Sequence, residues 1–230
     1  MKLIRPNCRL RFTSTDLDFL ISSLATSGSD SALRRLTTDL ESLDLLLDEE
    51  ALFHALLDRP EWAAISSHFY FYVLVRHVLK KAGLDDRAVA DYVAELLAEF
   101  CQADRARPPL PPDNKPSDYL VDMLAALQWV TDEERFALRA HIGNISLFMT
   151  GVFPERLQAR TRDRGAPKID YYEGMGRSSY RAAGDDRLAG RYELAPLLHS
   201  LSDSFHTTRL ALNELKERII LIEPPPFMVA

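Results

Sequence analysis

From Asp16 onward the apolar residues of this chain recur at intervals of three and four, and no convincing run of alternating apolar and polar residues follows. That spacing stacks side chains on one face of a helix, whereas a half-buried strand needs a period of two. The expected fold class is therefore all-α, a multi-helix bundle of about eight or nine helices. Helices are predicted at about 16–27, 30–47, 49–58, 62–82, 86–105, 117–130, 132–158, 169–183 and 188–222. Only Cys8, Leu10 and Phe12, alternating with Arg9 and Arg11, suggest a short extended N-terminal arm.

Punctuation residues mark several limits. Gly83 sits where a left-handed residue should close the helix that starts near Trp62, and Asp85 and Asp86 suit the positive N-terminus of the next. Ser117 precedes another start, and Thr131 with Glu134 three residues on reads as a capping box. Pro196 belongs near a helix start, so the last long helix begins at about Ala195 after a short turn. The run RPPLPPDNKP, residues 107–116, cannot continue a helix and is expected to be an extended strap. It divides the chain into two halves of one predicted domain, 1–230, which ends in an extended Pro-rich tail at 223–230.

Two helices carry polar residues among apolar ones. From Phe69 to Leu79 apolar side chains cover nearly the whole helical circumference, the pattern of a helix surrounded by others. Arg76 interrupts it and must either meet a carboxylate, lie along aromatic faces, or snorkel to an edge of the bundle. In FALRAHIGNISLFMTGVF, His141, Asn144, Phe148 and Gly151 share one face, so His141 is expected to be buried in a polar network with Asn144.

The formal charge of −6 argues against a chain built as a whole to coat nucleic acid or an anionic membrane. MKLIRPNCRLRF lacks the apolar core of a secretory signal, and FYFYVLV stops at Arg76, far short of the roughly 20 residues that cross a bilayer. Cys8 and Cys101 form neither a CxxC pair nor a disulfide framework, so they read as reduced thiols of a cytoplasmic protein.

Glu134 and His141 lie seven apart on one predicted helix, and His199, Asp203 and His206 form His-x3-Asp-x2-His on another, with Glu173 between. Imidazole and carboxylate at these spacings suit iron or manganese held between helices. This order resembles the ligand pattern of the haem-oxygenase-like di-iron oxidases. The resemblance implies a metal-dependent oxidase acting on a small amine or acid. A helical-wheel reading sets a different expectation for the last helix. Leu194, Leu197, Leu198, Leu201, Phe205, Leu212, Leu215 and Ile219 define its core stripe. His199, Asp203 and His206 point about the opposite way, with Ser202, Thr207, Asn213 and Glu217 on a solvated face.

The stretch DYYEGMGRSSYRAAG, residues 170–184, reads as a helix thinned for close packing, with Tyr172, Met175, Gly176, Ser179, Tyr180 and Ala183 facing inward and Glu173 pairing with Arg177. From Arg156 to Arg181 seven basic residues stand against three acidic ones, a local charge of +4. Gly-Met-Gly-Arg-Ser-Ser also offers backbone N–H groups, a hydroxyl and a guanidinium to an anion, so Arg164, Lys168, Arg177, Ser178 and Arg181 are candidate anion contacts. No nucleophile elbow, Walker loop or dinucleotide fingerprint is present. The leading expectation is thus a non-enzymatic binding or interaction module that meets an anionic small molecule or protein, without a cofactor; the alternative is the iron or manganese oxidase.

Overall fold

In the computed structural model the described residues are 3–26, 28–58, 65–100, 109–110, 115–116 and 119–215. They form thirteen α-helices and one 3-10 turn, Arg9–Arg11. The all-helical class is as expected, and the higher count comes from helices broken where the periodicity runs on. The predicted helix 30–47 is two, α2 (Asp30–Leu36) and α3 (Leu40–Leu47), following α1 (Ser14–Leu24). Between them the Thr37 and Thr38 hydroxyls donate to the carbonyls of Arg34 and Arg35, and Asp39 caps α3 by accepting the Ser42 N–H at 2.8 Å. The expected extended arm is replaced by the 3-10 turn. Cys8 is fully buried beside it and Leu10 is solvent-exposed, so the alternation does not hold.

The chain divides into two compact units, Pro6–Glu95 and the described residues of Met1–Arg5 with Leu96–Ala230. The boundary falls at Glu95/Leu96, away from the Pro-rich strap. The first unit contains α1 to α3, α4 (Glu50–Asp58), α5 (Ser67–Lys81) and most of α6 (Arg87–Phe100). Every residue of α5 from Phe69 to Arg76 is buried, as its unbroken apolar circumference requires. Its N-terminus is fastened by Asp16, which closes a capping box with Thr13 and also accepts the Ser66 backbone N–H at 2.8 Å and the Ser66 hydroxyl at 2.7 Å. Its C-terminus closes as expected on Gly83, φ +81°: the Gly83 N–H bonds the Lys80 carbonyl and the Leu84 N–H that of Leu79, a Schellman motif.

Arg76 does not snorkel. It is 1% exposed, with Nε 2.8 Å and Nη2 3.0 Å from the two Asp48 oxygens and a further short contact to Asp85. Arg87 and Lys80 also donate to Asp48. Burial by itself would raise the Asp48 carboxyl, but the hydrogen bonds from Arg76 and Lys80 and the charges of Arg76 and Arg87 outweigh it and hold the group well below the usual carboxylate range. The same exchange runs the other way at Arg76: burial disfavours the charge, and Asp48 with Asp85 more than restores it. A buried guanidinium is thereby tolerated in an apolar helix.

In the second unit α7 (Leu120–Ala126) precedes the long α8 (Asp132–Val152), whose start is the expected Thr131–Glu134 capping box. The predicted helix 132–158 breaks at Phe153, because Pro154 opens a new helix, α9 (Pro154–Arg164). Gly165, φ +65°, ends α9, and α10 (Ile169–Gly184) runs back along α8. The last predicted helix is three: α11 (Arg187–Arg191), α12 (Ala195–Asp203) and α13 (Phe205–Leu215). Leu194, Leu197, Leu198, Leu201, Phe205, Leu212 and Leu215 are all buried, as their stripe predicts. Of the strap, Pro109–Leu110 and Lys115–Pro116 are described, and they pair antiparallel. Trp62, Cys101, Ser117, Glu217, Ile219 and the tail 223–230 lie outside the described residues. Among the described residues no helix is long and apolar enough to cross a membrane.

Candidate functional site: the polar seam of α10

The inner face of α10 is built for close approach. A Cβ at Gly176 would lie 2.5 Å from the Phe205 ring and 2.8 Å from Ser146 of α8; one at Gly143 of α8 would lie 2.5 Å from the Tyr180 ring. With nothing but hydrogen at these positions the two helices interlock, and Tyr180 reaches across to donate its hydroxyl to Asn144 Oδ1 at 2.9 Å. Burial pushes the Tyr172 phenol up on the same face. Gly174 is different: nothing lies within 4 Å of its missing Cβ. Residues 174–179 are interior to α10, so their N–H groups belong to the helical ladder and form no anion cradle.

The outer edge of α10 carries Glu173, Arg177 and Arg181, and its C-cap is Asp185; at intervals of four they form one stripe down the helix. Against it stand side chains of α12 and α13. His206 Nδ1 is 2.9 Å from Glu173 Oε1, and Arg209 Nε donates to Glu173 Oε2 at 2.8 Å. The expected Glu173–Arg177 pair does not form; Glu173 turns to α13 instead. Further along, Arg181 pairs with Asp203 and lies 3.5 Å from His199 Nδ1, while His199 Nε2 is 3.4 Å from Asp185. The Ser202 hydroxyl donates to the Arg177 carbonyl at 3.0 Å. Asn213 donates to the carbonyls of Thr150 and Gly151 at 2.9 and 2.6 Å. Asp203 and His206 are exposed as the wheel predicts, with 64% and 59% of their side chains open, but buried Ser202 and engaged Asn213 correct the picture of a wholly solvated face.

The six candidate metal ligands are distributed over this geometry. Glu134 is exposed and spends its carboxylate on the Thr131 cap; His141, 4% exposed, packs with its ring centroid 5.7 Å from that of Phe100. His199 and Asp203 belong to α12 and His206 to α13, because the motif spans the break at Ser204. Only Glu173 and His206 meet directly, and guanidinium groups already neutralise Glu173 and Asp203. Among the described residues no three His, Cys, Asp or Glu side chains are arranged to hold one ion.

Of the anion candidates, Arg164 at the end of α9, Lys168 at the start of α10, and Arg177 and Ser178 are exposed. Ser178 turns its hydroxyl back to the Met175 carbonyl, and Arg181 is engaged by Asp203. Among the described residues Arg164, Lys168 and Arg177 have no ion pair. Sequence reasoning missed Arg209 and Asp185. Asp185 was accessible as the fourth member of the four-residue stripe, whereas Arg209 has no signal beyond sharing a helix with His206. No protein-family model, curated protein or solved structure matches this chain.

Proposed function

We propose that this chain is a non-enzymatic, cytoplasmic binding protein that meets an acidic protein segment through exposed cations of α9 and α10. The observation that supports this reading is the set of three exposed cations, Arg164, Lys168 and Arg177, without an ion pair among the described residues. Lys168, at the N-cap of α10, and Arg177, inside it, are nine residues apart, about 14 Å along the axis and about half a turn around it. One small anion does not span that separation, but an acidic chain segment does, and it gains from several guanidinium and ammonium contacts at once. The net charge of −6 disfavours nucleic acid as the partner. A buried Cys8 outside any disulfide among the described residues is compatible with a reducing compartment.

The test is retention on immobilised poly-glutamate across a salt gradient, comparing the native chain with Arg164→Ala/Lys168→Ala/Arg177→Ala. The native chain should be retained at low salt and the triple variant should elute early. Equal elution of the two would remove the basis for the reading.

A further inference from the structure

A second feature of the α8–α13 unit lies apart from those three cations. An open cleft of ≈540 Å3 is lined by Asp132 and Arg139 of α8, Ala182 and Asp185 at the end of α10, and Asp186 and Arg187 at the start of α11. Three aspartates and two arginines share the lining, and their commitments differ. Asp132 accepts Arg135 Nη1 at 2.6 Å, and Asp186 Oδ1 accepts the Leu188 N–H at 3.0 Å to cap α11. Asp185 is 3.4 Å from His199 and keeps 64% of its side chain open. Arg139 and Arg187 have no ion pair among the described residues.

We infer that this cleft binds a small zwitterion, with its carboxylate or phosphate held by Arg139 and Arg187 and its ammonium by Asp185. The planar fork of each guanidinium matches an oxyanion, and two of them reaching one cleft from α8 and α11 supply a charge no described side chain satisfies. A plain anion gains the same two contacts but is repelled by the aspartates of the rim. A plain amine meets the reverse. Only a ligand carrying both charges finds a partner for each, so the mixed lining selects against both simpler classes.

The test uses saturation-transfer NMR on the full chain, with the common L-amino acids and O-phosphoethanolamine as zwitterionic probes and acetate, methyl phosphate and ethylamine as single-charge probes. At least one zwitterion should show transfer at a concentration where the single-charge probes show less than a tenth of it. Which of the two zwitterion types responds identifies carboxylate or phosphate as the anionic end. Arg139→Ala/Arg187→Ala should abolish transfer, and Asp185→Asn should weaken it, with helical circular dichroism confirming that each variant folds. Transfer from no zwitterion, equal transfer from acetate or methyl phosphate, or transfer that survives the double arginine variant would each overturn the inference. The poly-glutamate experiment is independent: Arg164→Ala/Lys168→Ala/Arg177→Ala leaves zwitterion binding intact, so either proposal can fail without the other.

Discussion

Two glycines two residues apart in α10 should respond in opposite ways to the same substitution. In a helix interior alanine is favoured over glycine by about 1 kcal/mol. At Gly174 nothing lies within 4 Å of an added Cβ, so Gly174→Ala should stabilise the protein by about that amount. At Gly176 the new methyl would sit 2.5 Å from the Phe205 ring and 2.8 Å from Ser146 Cβ. Carbon atoms rest at about 3.5–4.0 Å, so roughly 1 Å must be opened against buried neighbours, Phe205 on α13 and Ser146 on α8. Overpacking of this kind costs about 1–3 kcal/mol, and the upper end applies because both neighbours are fully enclosed. After the propensity gain, Gly176→Ala should lose about 2 kcal/mol, leaving the two variants about 3 kcal/mol apart. With a urea dependence of about 2 kcal/mol per molar, their unfolding midpoints should differ by about 1.5 M by circular dichroism. A midpoint for Gly176→Ala equal to or above that of Gly174→Ala would refute the claim that close helix approach selects glycine at 176.

Asp48→Ala should cost roughly 3 kcal/mol in urea unfolding, at the low end of buried-pair losses because Asp85 stays on Arg76. The folded Asp48 carboxyl is held below its ordinary value of about 3.9, so its contribution is complete above that value and is lost as pH falls through the folded one. Stability of the native chain should therefore drop more steeply below about pH 4 than that of Asp48→Asn, and parallel acid limbs would exclude the linkage. Tyr180→Phe removes the hydroxyl bonded to Asn144 and should cost about 1–2 kcal/mol, read from the same unfolding curves. Burial, with the nearby Asp91 and Glu95 charges, pushes the Cys8 thiol far above its usual range, so a disulfide reagent should leave Cys8 unlabelled in the folded chain and label it after unfolding, as peptide mapping would show.

Some of this protein is written locally in its chain and some is not. The helical class, the Thr131–Glu134 and Gly83 caps, the leucine stripe from Leu194 to Leu215 and the thinned face of α10 all depend on residues within a few turns of one another. Periodicity and cap chemistry express such relations directly. The break at Ser204 was obscured because apolar spacing continues through it, whereas the one at Phe153 is marked by Pro154, a local signal that the predicted helix 132–158 runs past. The partner of Glu173 shows the limit most clearly. Locally Arg177, four residues on, is the natural choice, but an exposed pair of that kind stabilises by only about 0.3–0.5 kcal/mol. Packing of α13 against α8 and α10 brings Arg209 and His206 to the same carboxylate, and that placement prevails. The same holds for Asp48 on Arg76 across 28 residues, and for Arg139 and Arg187 meeting at one cleft. Which charges end paired and which end spare depends on how whole helices dock, an energy set by buried apolar area and shape that no short stretch of residues contains.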